Sequence, residues 1–274
     1  MKRPGLKEFV EKIMCDGSRT VDERMDDVFA VREELPAETE EERLENDVTI
    51  FTALIEMVRK ENEGHAEDLS LLQLFTLLAE TCVGLKRFRA LGDVAYDVLE
   101  VLRDEMTPWE TCRQTVPRIA DAVGRSVFRH SLYELLLRYF RIAVDGGAEL
   151  TELKPQVETV LKLRLLLEPD DWMECLFMKP MQTAVARMFT SGELLRIMLH
   201  PELGHLRHDP VEYTREWERI YYDVEEELER RFANAPRGMG FCFHFWSAKR
   251  ELLSERYGIE WRSPSQMNPR VMFD

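Results

Sequence analysis

Hydrophobic positions recur at three- and four-residue steps through most of this chain. In TEEERLENDVTIFTALIEMVRK, Leu44, Val48, Phe51, Leu54, Ile55 and Val58 share one helical face. Thr39 stands where an N-cap is needed, and Glu42 completes a capping box. The same spacing marks Leu69, Leu72, Phe75, Leu78 and Cys82, then Phe88, Leu91, Val94, Val98 and Leu102. It continues through Val127, Phe128, Leu132, Leu135, Leu136 and Tyr139 to a stop at Gly146 and Gly147, and again through Val157, Val160, Leu161 and Leu165. Pro117 is expected to shorten the helix it falls in, and Pro180 to kink or divide a helix over PDDWMECLFMKPMQTAVARMF. Hairpin signals are missing, so the pattern predicts an all-α fold.

Two helix starts share one device, TPWE at 107–110 and DPVE at 209–212. Each offers a side-chain oxygen at the cap, proline at the first helical position and glutamate at the third. The second opens what reads as one long helix, DPVEYTREWERIYYDVEEELERRFAN. Grouped in pairs, the helices start near Thr20, Ala66, Thr107, Thr151 and Ser191, at intervals of about 40 to 46 residues. That spacing predicts consecutive helical hairpins in a right-handed α-α superhelix. It places one helical domain over residues 1–258, a sub-boundary near 190–209, and an extended C-terminal arm over 259–274, where Pro264 and Pro269 interrupt helix.

The segment RFRALGDVAYDVLEVL resembles the first part of a tetratricopeptide repeat through Phe88, Leu91, Gly92 and Tyr96. The likeness covers about half of one repeat, with the tyrosine one place late and the spacing longer than the usual 34. What it implies is a helical scaffold that binds proteins or peptides.

Composition narrows the function classes. A net charge of −15 disfavours nucleic acid and anionic membrane. The basic start MKRPGLKEFVEKIMCDG contains no apolar run for a signal, and no stretch suits a membrane span, so a cytoplasmic protein is expected. The cysteines Cys15, Cys82, Cys112, Cys175 and Cys242 form no paired motif and read as small buried hydrophobes.

Three of the six histidines fall in HPELGHLRH. A helical metallopeptidase site needs two imidazoles four residues apart with glutamate directly after the first. Here His200 and His205 are five apart, and Pro201 and Gly204 interrupt a helix. A loop could still gather His200, His205 and His208 with Glu202, which makes a metal-dependent hydrolase the alternative reading. His65 and His130 read as structural. No phosphate loop, nucleophile elbow or dinucleotide fingerprint is present, so no cofactor is expected.

The partner-binding candidates are aromatic. Tyr213, Trp217, Tyr221, Val224, Leu228 and Phe232 form one stripe, readable as a core seam or as a groove wall. Seven aromatic residues fall among the 34 positions from Phe241 onward, and the segment from Pro236 is net +2. Trp261, Met272 and Phe273 imply that the arm packs on folded protein, in its own chain or exchanged with a second copy. The sequence therefore predicts a non-catalytic scaffold for a protein or peptide partner, monomeric or an arm-exchanged homodimer. Its site residues are Tyr213, Trp217, Tyr221, Trp261 and Arg262. A pocket for a small apolar ligand within the helices, lined by Met and Phe, is a further alternative.

Overall fold

A computed structural model of the chain describes residues 6–61, 68–103, 107–168 and 179–273. Among them are 13 α-helices and no strand, so the fold is all-α. The chain divides into two compact units, Met1–Ser126 with Glu134–Ala148, and Val127–Tyr133 with Glu149–Asp274.

The first unit holds α1 (Leu6–Met14), α2 (Val21–Glu34), α3 (Glu40–Glu61), α4 (Asp68–Gly84), α5 (Ala90–Val101), α6 (Trp109–Gly124) and most of α7 (Arg129–Asp145). α4 is its centre and packs on α3, α5 and α6. α3 is covered on two sides, by α4 and by α1 and α2. Its buried face is therefore wider than the periodic stripe, and Asp47, Ile50 and Met57 are buried beside Phe51, Leu54, Ile55 and Val58. Pro117 does not shorten α6, which runs on to Gly124. Burial of Val116, Ile119, Ala120 and Val123 offsets the one backbone bond that proline forfeits. That helix starts at Trp109, with Pro108 rather than Thr107 at the cap position.

α7 ends where two glycines were expected to end it, and each answers a separate constraint. A Cβ on Gly146 would lie 2.5 Å from Cβ of Trp109, and Gly147 adopts φ +73°. The Ala148 N–H then donates to the Ala143 carbonyl at 2.8 Å, closing a Schellman turn. Of the cysteines, Cys82 and Cys112 are buried as expected and Cys242 is half-buried, but Cys15 is exposed. Cys175 and His65 lie outside the described residues.

The second unit comprises the first turn of α7 with α8 (Lys154–Leu167), α9 (Lys179–Met188), α10 (Ser191–Leu199), α11 (Arg215–Arg231), α12 (Phe241–Tyr257) and α13 (Pro264–Met267). Pro180 sits in the first turn of α9, and the portion of that segment before Lys179 is outside the described residues. α8 packs on α9 and α10, while α11 and α12, successive in the chain, contact each other directly. The helix expected from Asp209 is broken. Pro210–Tyr213 makes one 3-10 turn, Thr214 is extended at φ −87° and ψ 157°, and its hydroxyl accepts from the Trp217 N–H to start α11. α12 closes at Gly258, φ +67°. The arm is extended only to Ser263. Ser263 and Gln266 then form a capping box, and Pro264, instead of breaking helix, opens α13 as its first residue.

No helix among the described residues is long and apolar enough to cross a membrane.

The Asp47 carboxylate, 2% exposed, accepts from Arg32 Nε at 2.6 Å and Nη2 at 2.9 Å, joining α2 to α3. Asp47→Ala is expected to cost about 1.5–3 kcal/mol, the range for hydrogen bonds to charged groups. Urea denaturation measures it. A loss below about 0.5 kcal/mol would place the pair with ordinary surface salt bridges.

Candidate functional site

The aromatic stripe and the arm meet. Trp217, 2% exposed, stacks on Trp261, 4% exposed, with ring centroids 6.2 Å apart and planes 25° from parallel. Val224, Leu228, Ala248 and Leu253 complete this core, flanked by Tyr221, Phe232, Phe245 and Ile259. Tyr213 is also buried and Tyr221 is half-buried. These residues form a core seam, not the wall of an open groove. Apolar side chains at three- and four-residue steps on α11 do not distinguish the two readings. What decides is that the arm brings an indole to the same face.

A buried cation sits at the centre. The Lys249 ammonium lies 5.0 Å from the Trp217 ring centroid, 4.9 Å from Tyr221 and 5.2 Å from Trp261. It donates to the Glu225 carboxylate from α11. Lys249 is 7% exposed. Such three-ring cages suit cations because ring faces are electron-rich and replace part of the lost hydration. Here the chain fills the cage with its own lysine. Sequence reasoning passed over Lys249 and Glu225. The signal was slight, a lysine following the apolar run FCFHFWSA.

The DPVE turn holds the arm. Asp209 Oδ1 accepts from the Val211 N–H at 3.1 Å, capping the turn, while Oδ2 accepts from the Arg262 N–H at 2.7 Å and its Nε at 2.9 Å. Glu212 Oε1 accepts from Trp261 Nε1 at 2.8 Å. Its Oε2 faces His208 Nδ1 at 3.0 Å. The four-residue device that reads only as a helix start is therefore also the receptor for Trp261 and Arg262. Farther along, the Asn268 amide donates to the Arg207 carbonyl at 2.8 Å, and Asn268 Oδ1 accepts from the Arg207 N–H at 2.9 Å. In this structure the arm docks on residues of its own chain.

Glu218 was also missed. Its carboxylate, 3% exposed, accepts from the His130 N–H at 2.6 Å and the Ser131 Oγ at 3.1 Å, so α11 caps the start of α7. Burial raises its ionisation above the usual carboxylate range, with those hydrogen bonds opposing. Burial lowers the ionisation of His130 and pushes the Tyr213 phenol up to about 12. These groups are fixed in structural contacts.

The histidines are spread along the connection after α10. His200 follows that helix at its C-cap, and His200, His205 and His208 are all exposed, with Glu202 half-buried. Among the described residues no three His, Cys, Asp or Glu side chains converge as a metal ion requires. The cleft beside α10, about 400 Å³, includes His200. Its walls carry Glu158, Lys162, Glu193 and Arg196 as well as Phe189 and Ile197, a charged lining that differs from a Met- and Phe-lined apolar pocket. No family model, curated protein or solved structure matches the chain.

Two outcomes test this site. Trp261→Ala removes a buried indole and is expected to destabilise the second unit by about 3–5 kcal/mol. Chemical denaturation followed by tryptophan fluorescence reads it, and a loss under about 1 kcal/mol would mean that the arm is not packed in solution.

The second outcome concerns pH. The hydrogen bond to Glu212 raises the ionisation of His208, with burial opposing; Arg129 lowers it and Glu202 raises it further. A raised histidine contributes stability that is complete below its ordinary value and is lost as pH rises through its folded value. Between about pH 6 and pH 8.5 the melting temperature should fall in the native chain and fall less in His208→Ala. Equal slopes would exclude the His208 contact as the cause.

Proposed function

We propose that this chain is a non-catalytic helical scaffold whose second unit binds a protein or peptide partner. One observation carries the reading. Ten large hydrophobic side chains stand exposed among the described residues, and eight of them belong to the second unit: Leu195, Met198, Leu199, Leu203, Met239, Phe243, Val271 and Met272. Apolar surface concentrated in this way favours association, because burying it removes it from water.

α10 is the clearest case. Of its nine residues only Ile197 is buried, while Leu195, Met198 and Leu199 are 56%, 45% and 62% exposed. They lie at three- and four-residue steps, the spacing by which one helix offers a face to another. The packing of α4 against α3, α5 and α6 supports the consecutive-hairpin scaffold that the sequence suggested. Trp217, Tyr221 and Trp261 belong to the core that α11, α12 and the arm share, and Arg262 holds the arm to Asp209.

Site-specific photocrosslinking in the native cell tests the reading. A benzophenone side chain in place of Leu199 or Phe243 is expected to give a discrete protein adduct, and one in place of the exposed Tyr96 of the first unit is not. Absence of an adduct at both second-unit positions would refute it.

A further inference from the structure

Two aromatic residues of the first half of α12 and one at the far end of the arm form one row. Trp246, half-buried, meets Phe243 edge-on at 5.6 Å and 83°, and meets Phe273 edge-on at 5.1 Å and 86°. The row joins two segments distant in sequence. Phe243 remains 48% exposed, and next to Phe273 in the chain Met272 is 95% exposed and Val271 45%. Other aromatic residues of the unit are treated differently, since Trp217 and Trp261 are almost fully buried.

Charge sets this face apart. The chain carries a net −15, yet neither Pro236–Arg250 nor Trp261–Phe273 contains an aspartate or a glutamate, the next acids along the chain being Glu251 and Asp274. The contact between Trp246 and Phe273 brings these two acid-free stretches together. Two of their cations are already engaged, Lys249 with Glu225 and Arg262 with Asp209. Arg250, one helical turn beyond Trp246, and Arg270, next to Val271, are exposed.

We propose that the face of Phe243, Trp246, Met272 and Phe273, bordered by Arg250 and Arg270, docks an acidic amphipathic helix of a partner protein. The inference rests on the partner-binding reading and names the face and the chemistry it selects. The apolar stripe of such a helix covers the ring row, and its carboxylates meet the two guanidinium groups, which pair with carboxylates through paired N–H donors. A helix with a basic border gains the same apolar contact but meets like charge. An anionic bilayer fits less well. The rings meet edge to face with Trp246 half-buried, and an extended anionic surface would meet the chain's net −15 as a whole, whereas a single helix meets chiefly the guanidinium groups beside the row.

The test uses the full chain and two labelled synthetic helical peptides of about 18 residues, five turns, with one apolar stripe in common. One carries Glu and Asp on its polar face, the other Lys and Arg. Fluorescence anisotropy is expected to show the acidic peptide binding at least about tenfold more tightly, a preference that shrinks as salt screens the charges. Arg250→Glu with Arg270→Glu should reverse the preference. Phe243→Ser, at an exposed position, should weaken the acidic peptide by about tenfold or more while the melting temperature holds, and Met272→Ser, which lies outside the ring row, should weaken it in the same direction.

Equal binding of the two peptides, binding of neither, or indifference to these variants overturns the proposal. If the acidic peptide instead loses affinity on Leu199→Lys alone, this face is wrong while the partner-binding reading stands. If native-cell crosslinks are absent at both Leu199 and Phe243, that wider reading falls with it. Co-sedimentation of the chain with phosphatidylserine vesicles, abolished by Phe243→Ser, would replace the peptide by a membrane. A concentration-dependent dimer abolished by the same variant would replace it by a second copy.

Discussion

The second unit is organised around a buried ammonium group. Lys249 lies on α12, its counter-charge Glu225 lies on α11, and the rings that enclose it come from α11 and from the arm. A cation out of water is costly unless charge and polarisable surface replace its hydration shell. No single element here can do that. α11 supplies a carboxylate and two rings, and Trp261 supplies the third. Removing the arm would therefore do more than expose an apolar patch, because the lysine would lose part of its enclosure.

The turn before α11 makes that arrangement specific. Asp209 and Glu212 each divide their two oxygens between their own turn and the arm, Asp209 between Val211 and Arg262, Glu212 between His208 and Trp261. The break at Thr214 is part of this design. Had the helix been continuous from Pro210, Asp209 and Glu212 would follow the α11 axis instead of turning toward the arm. An extended Thr214 re-aims both carboxylates and still starts α11 with its own hydroxyl.

The way aromatic residues are used inside the unit bears on function. The indoles and phenols most suited to gripping a partner are largely spent on Lys249 and on one another. What is left at the surface is Leu and Met on α10, and the open edge of the Phe243, Trp246 and Phe273 row on α12 and the arm. The packed seam holds α12 and the arm, so interior and that part of the proposed interface are linked through the same short stretches of chain.

Much of the fold was legible along the chain. The three- and four-residue steps determined helix class, the glycines at 146, 147 and 258 determined where α7 and α12 stop, and Trp261 is buried as its size implied, whereas Met272, expected to pack with it, is 95% exposed. Local geometry is enough for such features, because a cap or a periodic face depends on residues within a turn or two. The failures differ in cause. Pro117 is tolerated inside α6 because burial of that helix overrides local propensity, whereas the restart at Thr214 and the turn at Pro264 follow from local caps, the Thr214 hydroxyl and the Ser263–Gln266 capping box, read in the sequence as continuous helix and as a break. The site was legible only as a set of residue types. Tyr213, Trp217, Tyr221, Trp261 and Arg262 do gather in one region, but only the tertiary structure decided that the four aromatic residues turn inward while Arg262 stays exposed, that Lys249 sits among the rings of Trp217, Tyr221 and Trp261, and that Asp209 and Glu212 receive the arm. A stripe shows which side chains share a face of one helix; what covers that face is set by contacts across roughly 30 to 50 residues of chain, where the spacing of letters carries no information.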